Sequence, residues 1–199
     1  MPDIKHFDPD TALERAEELF WRNGAAITSI QDVASTTGLN RSSLYATFGG
    51  KRELYLAALR RYVHQRAEPA TLYLTRADGG LAAIKAFFAG LIEVRTSGPF
   101  AGWGCMIVNA HTGAERADPA VQALLDAYHR TLCDAFAAAL DVAQRRGELA
   151  PGAATEGTAE MLALLAYGVN LRSRAGEDAD SLLRTVSAAL APLQRPPAP

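Results

Sequence analysis

Residues able to recognise a nucleic acid crowd into one short stretch of this chain: Arg41, Ser42, Ser43 and Tyr45, followed by Lys51. An arginine fork can bridge O6 and N7 of guanine, and a serine hydroxyl can donate to or accept from either base type. Tyrosine and lysine suit the phosphate oxygens that pass alongside. A second group with chemical potential is Cys105, His111 and Glu115. Cys105 with His111 can be drawn as a nucleophile and its base, and His111 with Glu115 at i+4 as half of a metal site. Neither set has a third group at a supporting spacing. The chain has four scattered histidines, no Gly-rich phosphate loop and no repeated acidic pair. No catalytic residue, cofactor or metal ligand is therefore expected, and the chain reads as a non-enzyme. Cys105 and Cys133 lie far apart without CxxC or Cys/His ligand spacing, which argues against a disulfide framework and a zinc site.

The elements that must position Arg41 and its neighbours read as two short helices with a tight joint, spanning Thr28 to Lys51. Thr28 with Gln31 three residues later has capping-box spacing, and Ile30, Val33 and Ala34 supply the apolar positions of the first helix. Gly38 suits a left-handed C-terminal cap, Leu39 packs back into the core, and Asn40 caps the second helix. That helix, from about Arg41 to Phe48, buries Leu44 and Phe48 at i and i+4 and turns Arg41, Ser42, Ser43, Tyr45 and Thr47 to the other side. Gly49-Gly50 then opens another helix whose N-terminus favours an anion. The pattern is a helix-turn-helix with a polar face suited to the major groove. An ordinary pair of core helices accounts for Val33, Leu44 and Phe48 but not for an exposed Arg-Ser-Ser beside Tyr and Lys.

The spacing of Thr28, Asp32-Val33-Ala34, Gly38-Leu39, Ser43-Leu44-Tyr45, Phe48, Lys51 and Leu54 resembles the N-terminal domain of the TetR family of transcriptional regulators. The match covers roughly the first third of the chain. It implies a homodimer, most simply a repressor, that reads a palindromic double-stranded DNA operator with two copies of the Arg41 helix and is released by a small-molecule effector. It also brings Thr28, Gln31 and Thr47 into the set of expected DNA contacts. The chain departs from the commoner pattern at Ala46, Gly49 and Gly50, which leaves fewer aromatic or basic side chains to anchor phosphates at that edge. Farther on, Trp103 and Cys105, flanked by glycines, resemble the start of the sixth helix in one branch of the family, a region that lines the ligand cavity there.

A chain of 199 residues can bury a substantial core. Its Ala- and Leu-rich periodic runs, without alternating β-branched segments, predict an all-α fold of about nine helices. We expect a DNA-binding head over residues 1–53 and a larger ligand-binding and dimerisation domain over 54–199. The net charge is −2, and the first 66 residues carry nine Lys or Arg against eight Asp or Glu. The head is thus barely basic, so specific contacts must carry more of the discrimination than bulk attraction does. There is no signal peptide over Met1 to Phe7 and no apolar run able to span a bilayer, so a cytoplasmic protein without a membrane partner is expected.

Taken in order, Met1 to Phe7 reads as a disordered arm carrying Lys5 and His6. Asp8-Pro9 starts a helix with Ala12, Leu13, Ala16, Leu19 and Phe20 on its core face, ending near Asn23-Gly24. A long helix follows Lys51 and is kinked or ended by Pro69. Gly79-Gly80 opens a helix bearing Leu81, Ile84, Phe87, Phe88, Leu91 and Ile92, and Thr96 to Gly104 reads as a loop. Asp118-Pro119 starts a helix that closes at Arg145-Arg146-Gly147. Ala150 to Gly157 reads as a linker, Thr155–Arg174 and Asp178–Leu193 as two amphipathic helices, and the closing RPPAP as a disordered tail. An apolar effector pocket with a polar end is expected from Phe87, Phe88, Leu91, Trp103, Cys105, Met106, Asn109, His111, Tyr128, Leu132 and Tyr167. Cys105 also offers a different reading, a thiol sensor of electrophiles or oxidants, set against the tendency of free cysteines to be buried and inert. The last two helices carry more apolar surface than one subunit is expected to cover. Leu162, Leu165, Ala166, Val169, Leu182, Leu183, Val186, Ala189 and Leu190 are accordingly expected at an isologous dimer interface, with packing wholly inside one subunit as the alternative. A helical adaptor with a vestigial head is the third class, in which changes at Arg41, Ser42 and Ser43 would have no effect.

Overall fold

Asp8 accepts from the backbone N–H groups of Asp10 (3.1 Å) and Thr11 (3.3 Å), and Pro9 occupies the first helical position. This cap launches α1 (Pro9–Asn23) in a computed structural model that describes residues 7–75, 79–153 and 156–195. The arm of Met1 to His6, with Lys5 and His6, and residues 196–199 of the tail lie outside the described residues, as do Ala154 and Thr155 of the expected linker. Three further helices complete the head: α2 (Ile30–Thr37), α3 (Arg41–Phe48) and the start of α4 (Lys51–Tyr62). The α2–α3 joint is closed by Gly38, whose φ of 73° and ψ of 15° is a left-handed cap that a side chain rarely adopts. Asn40 accepts from the Ser43 N–H at 2.7 Å to start α3.

The chain does not stop at the end of α4. It widens into a π turn over Val63–Ala67 and resumes as the short α5 (Glu68–Thr71). Pro69 lies in α5 without an N–H to give to the preceding turn, and the wider turn just before it absorbs the mismatch. The expected kink is therefore a π turn that precedes the proline. The body consists of α6 (Gly80–Thr96), the short α7 (Met106–Thr112), the long α8 (Pro119–Arg145), α9 (Glu156–Arg174) and α10 (Ala179–Leu190). Counting α4 and α5 as one interrupted rod gives nine helical rods among the described residues. Among the described residues no strand occurs beyond an isolated bridge between Leu149 and Gln194.

One apolar core runs from head to body, from Val33 and Leu44 through Leu59 and Tyr62 to Phe88, Leu132 and Leu162. The expected boundary between residues 53 and 54 falls inside α4, so head and body share a helix. Polar ties reinforce this. The buried Trp21 indole donates to the Gly104 carbonyl at 3.0 Å, Arg52 on α4 pairs with Asp118 at the cap of α8, and Glu115 accepts from the Ala26 N–H at 2.6 Å. No described helix is long and apolar enough to cross a membrane.

Candidate nucleic-acid interface and small-molecule cavity

The polar face of α3 is built as expected in outline and differs in its details. Arg41 and Ser42 are exposed, Tyr45 is 47% exposed, and Ser43, Thr47 and Lys51 are half-buried at the margin. Leu44 is buried and Phe48 half-buried against the core, which fixes the roll of the helix. The Arg41 Nε donates to Gln31 Oε1 at 2.9 Å, so an α2 amide holds the arginine in place. The Ser42 hydroxyl donates to the same Asn40 oxygen that caps α3, at 2.7 Å. Gly50 caps α4 with no side-chain bond, and the Glu53 carboxylate lies against that helix start beside Lys51.

Two corrections concern the start of α2. The capping box lies one residue later than Thr28 and Gln31: the Ser29 hydroxyl accepts from the Asp32 N–H at 3.1 Å, and Asp32 accepts from the Ser29 N–H at 2.7 Å. Thr28 is 2% exposed and turns inward, its hydroxyl donating to the Gly24 carbonyl at 2.7 Å. It closes the α1–α2 turn and is unavailable to a nucleic acid. Gln31, freed from capping, is exposed beside Arg41. The Ser29 hydroxyl and backbone hold the Asp32 carboxyl below its ordinary value.

Inside the body is a cavity of about 500 Å³ between the π turn, α6, α8 and α9, with Trp21 of α1 in its wall. Of the residues expected there, Phe87, Leu91, Cys105, Tyr128, Leu132 and Tyr167 line it. The other five do not. Phe88 is rotated away behind Phe87 and stacks on Phe136 at 5.8 Å, and Trp103 packs edge-on against Trp21 at 5.3 Å. Met106 is buried and, with Asn109, faces a smaller cleft against the head. Asn109 donates to the Trp103 carbonyl at 2.9 Å. His111 packs on the far side of Tyr167 at 5.5 Å, its Nε2 without a hydrogen-bond partner, and burial lowers its pKa. Glu115, its expected i+4 companion, is occupied by the Ala26 N–H.

Sequence reasoning missed the two arginines of the wall, Arg66 and Arg95, together with Asn170. For Arg95 and Asn170 the signal was present. Phe87, Leu91 and Arg95 repeat at i, i+4 and i+8 along α6, and Ala166 and Asn170 at i and i+4 along α9, so extending each apolar face by one turn reaches both polar groups. Arg95 Nε donates to Asn170 Oδ1 at 2.6 Å and its Nη2 to the Tyr62 hydroxyl at 3.1 Å. Asn170 is oriented in turn by donating to the Ala166 carbonyl at 2.8 Å. Burial pushes the Tyr62, Tyr128 and Tyr167 phenols up, so all three stay neutral. Cys105 is 4% exposed in the same wall.

His129, Cys133 and Glu160 bring three groups capable of metal ligation within 4.8 Å of one another. Spacing along the chain did not reveal them because Glu160 comes from a separate helix. They satisfy one another: His129 contacts Glu160 at 3.1 Å, and the Cys133 thiol donates to Glu160 at 3.2 Å. Burial and Glu160 push that thiol up to about 12.

Most of the residues expected at a dimer interface are buried within one subunit, and Leu183 is the exposed exception. Leu162, Ala166, Val169, Leu182, Val186 and Leu190 are each at most 5% exposed within one subunit, where they cover α6 and α8, and Leu165 and Ala189 are half-buried. The exposed apolar side chains of these helices are Met161, Leu164 and Leu171 on α9 and Leu183 on α10. With Gly168, the α9 residues repeat at i, i+3, i+7 and i+10, a stripe one helix wide.

Residues 12–58 match the family described as bacterial regulatory proteins, tetR family, and residues 80–189 match the tetracyclin repressor-like C-terminal domain. The chain is 28% identical over 187 residues to the HTH-type transcriptional repressor ComR of Escherichia coli (strain K12), covering 94% of this chain and 89% of that one. It is 34% identical over 147 residues to the uncharacterized HTH-type transcriptional regulator YezE of Bacillus subtilis (strain 168), covering 73% and 74%. Among solved structures, a cysteine-substituted form of the TetR family regulator CifR, complexed with a 26-base-pair double-strand operator DNA, superposes with a TM-score of 0.85. It shares 26% identity, over 96% of this chain and 99% of that one.

Proposed function

Because this chain belongs to the TetR family of bacterial regulatory proteins, we propose that it represses transcription as a homodimer on a palindromic operator and is released by a small molecule bound in the cavity. The observation that carries the reading is the α3 face: an exposed Arg41 oriented by Gln31, beside Ser42 and Tyr45, on a helix whose two ends are fixed by Asn40 and Gly49. Arg41 reads a base edge, Ser43, Tyr45, Thr47 and Lys51 follow the phosphates, and Gln31 positions Arg41. Phosphate contacts place the helix and base contacts specify the sequence.

Two such faces must be held one helical turn of DNA apart, roughly 34–36 Å or somewhat more. The α9 stripe of Met161, Leu164, Gly168 and Leu171, with Leu183, supplies a self-complementary seam for a second copy. Coupling to the cavity runs through Trp21. Its ring forms part of the cavity wall, its N–H is tied to Gly104, and its helix packs directly on α2 and α4. A ligand that fits the cavity only when Trp21 shifts favours a head position that mismatches the operator, and differential affinity for the two states is all that is required. Cys105 in the same wall places a thiol within reach of an electrophilic occupant. Release that survives Cys105→Ser would exclude a covalent route.

The test is selection of bound sequences from a random duplex pool, without ligand, using the full chain and Arg41→Ala. A palindromic consensus that loses preference at one base position in the variant supports the reading. Protein that is folded and dimeric yet enriches no sequence would overturn it.

A further inference from the structure

The cavity wall is unusual in its charge. Among the described residues it contains two arginines and no aspartate or glutamate. Arg66 is already neutralised, its Nε donating to the fully buried Glu17 at 2.7 Å while its guanidinium lies over the Phe100 ring at 4.6 Å. Arg95 has no such partner among the described residues. Its two hydrogen bonds go to neutral acceptors, Asn170 and Tyr62, the Trp21 ring lies at 5.6 Å, and the Cys105 thiol and Tyr128 phenol are also near.

A guanidinium offers five N–H donors, so both hydrogens on Nη1 and one on Nη2 are left. Those donors form the edge that grips a carboxylate through two parallel bonds. A cation withdrawn from water with no counter-charge is costly, and an anion arriving beside it recovers that cost. The rest of the wall is mostly apolar, with Phe87, Leu91, Val94, Val108 and Leu132 beside the Tyr128 and Tyr167 phenols and the Cys105 thiol.

Resting on the reading of this cavity as the effector site, we infer that the effector is an amphipathic organic carboxylate. Its anionic end pairs with Arg95 and its aliphatic or aromatic body fills the apolar remainder. A neutral alcohol of the same shape leaves Arg95 uncompensated, and an amine is repelled by it.

The experiment titrates the full-length dimer with two matched triplets, decanoate, decanol and decylamine, then 4-phenylbutyrate, 4-phenylbutanol and 4-phenylbutylamine. Tryptophan fluorescence reads binding, since Trp21 faces the cavity. In at least one triplet the acid is expected to bind ten-fold or more tightly than its alcohol and amine. Arg95→Met should erase that preference, and Arg95→Lys should keep part of it. Asn170→Asp, nearly isosteric, supplies Arg95 with a carboxylate of its own and should also erase it, so a variant that fails to fold does not leave the question open. Alcohols that bind as well as acids in both triplets, acid affinity that survives both Arg95→Met and Asn170→Asp, or no binding by either acid would overturn the inference. Acid that binds but fails to release the selected operator would overturn the effector assignment. Because operator selection is run without ligand, that failure would leave the DNA-reading conclusion standing.

Discussion

Arg41 on the outer face of the head and Arg95 in the cavity wall of the body sit in different environments and are held in the same way. In each, Nε donates to a side-chain amide oxygen on a neighbouring helix, Gln31 at 2.9 Å in one and Asn170 at 2.6 Å in the other. Neither has a carboxylate at ion-pair distance among the described residues. Other arginines of the chain are wired differently: Arg61 and Arg66 converge on Glu17, Arg52 pairs with Asp118, and Arg172 pairs with Glu177. An amide oxygen orients a guanidinium without cancelling its charge, whereas a carboxylate does both. Arg15 and Arg174 also have no carboxylate partner among the described residues, but they are spent on backbone carbonyls, of Thr37 in one case and of Trp103 and Arg22 in the other. Arg41 and Arg95 differ from these, and from the arginines that fasten helices through a carboxylate, in being held by neutral side chains with N–H donors to spare, which is the basis for reading both as kept in position for an anion that arrives from outside.

The largest effect should come from the fastening group. Glu17 is fully buried, accepting from Arg61 at 2.6 Å and Arg66 at 2.7 Å, and so ties α1 to α4 and to the π turn. Glu17→Ala leaves Arg61 with Glu14 at 3.0 Å and Arg66 with Glu18 at 3.4 Å, both partly exposed, and a broken buried pair costs about 3 kcal/mol, at the low end because both arginines keep these partners and some solvent. Denaturant unfolding of the dimer at fixed concentration measures it. A loss below about 1 kcal/mol, the size expected of a surface pair, would remove the distinction between fastening and free arginines.

The next effect tests the other class. Arg41→Ala should weaken the selected operator by about 1–3 kcal/mol with stability unchanged. Gln31→Glu is the sharper change, because it turns the amide that orients Arg41 into a carboxylate that also neutralises it. Electrophoretic mobility shifts on the selected operator should show Gln31→Glu weakening binding by about 1 kcal/mol, more than Gln31→Ala does. Equal losses in the two variants would mean that orientation alone matters and that the missing charge partner is incidental.

The helix-turn-helix was legible in the sequence because its determinants are local. Gly38, Asn40 and the Leu44–Phe48 pair act within a few residues of one another, and the structure uses each as the spacing implied. The capping box was displaced by one residue because Thr28 and Ser29 are equally plausible caps on spacing alone, and only the turn at Gly24 decides which hydroxyl faces inward. The cavity was legible in part, since α6 and α8 each expose a periodic apolar face. Trp21 and Arg66 could not be assigned to it, because they reach the wall from α1 and the π turn, segments whose approach no local pattern encodes. The residues expected to pair two copies fell mostly inside one subunit for a related reason. On α9 the more regular apolar face belongs to the subunit's own core, and the stripe of Met161, Leu164 and Leu171 is distinguishable from it only once α6 and α8 are in place.

The smallest effect lies in the acidic residue nearest the reading face. Asp32 follows Gln31 directly, yet it does not neutralise Arg41, because its carboxylate is occupied by the Ser29 hydroxyl and N–H, each at 2.7 Å. The Ser29 hydroxyl is the largest cause of its lowered pKa, followed by the Ser29 backbone. A carboxyl whose folded pKa lies below its ordinary 3.8 contributes its stabilisation fully above that value and loses it as the pH falls through the lowered one. Ser29→Ala should therefore cost about 1 kcal/mol near neutral pH, as the loss of an N-cap does. Its difference from the unmodified chain should narrow as the pH is taken below 4, because the native box is then weakening too. Thermal unfolding of both proteins between pH 7 and pH 3 reads the convergence. A gap that stays constant through the acid range would mean that Asp32 is not held by Ser29 in solution, leaving a free carboxylate beside Gln31 and Arg41 and removing the reason for regarding Arg41 as unneutralised.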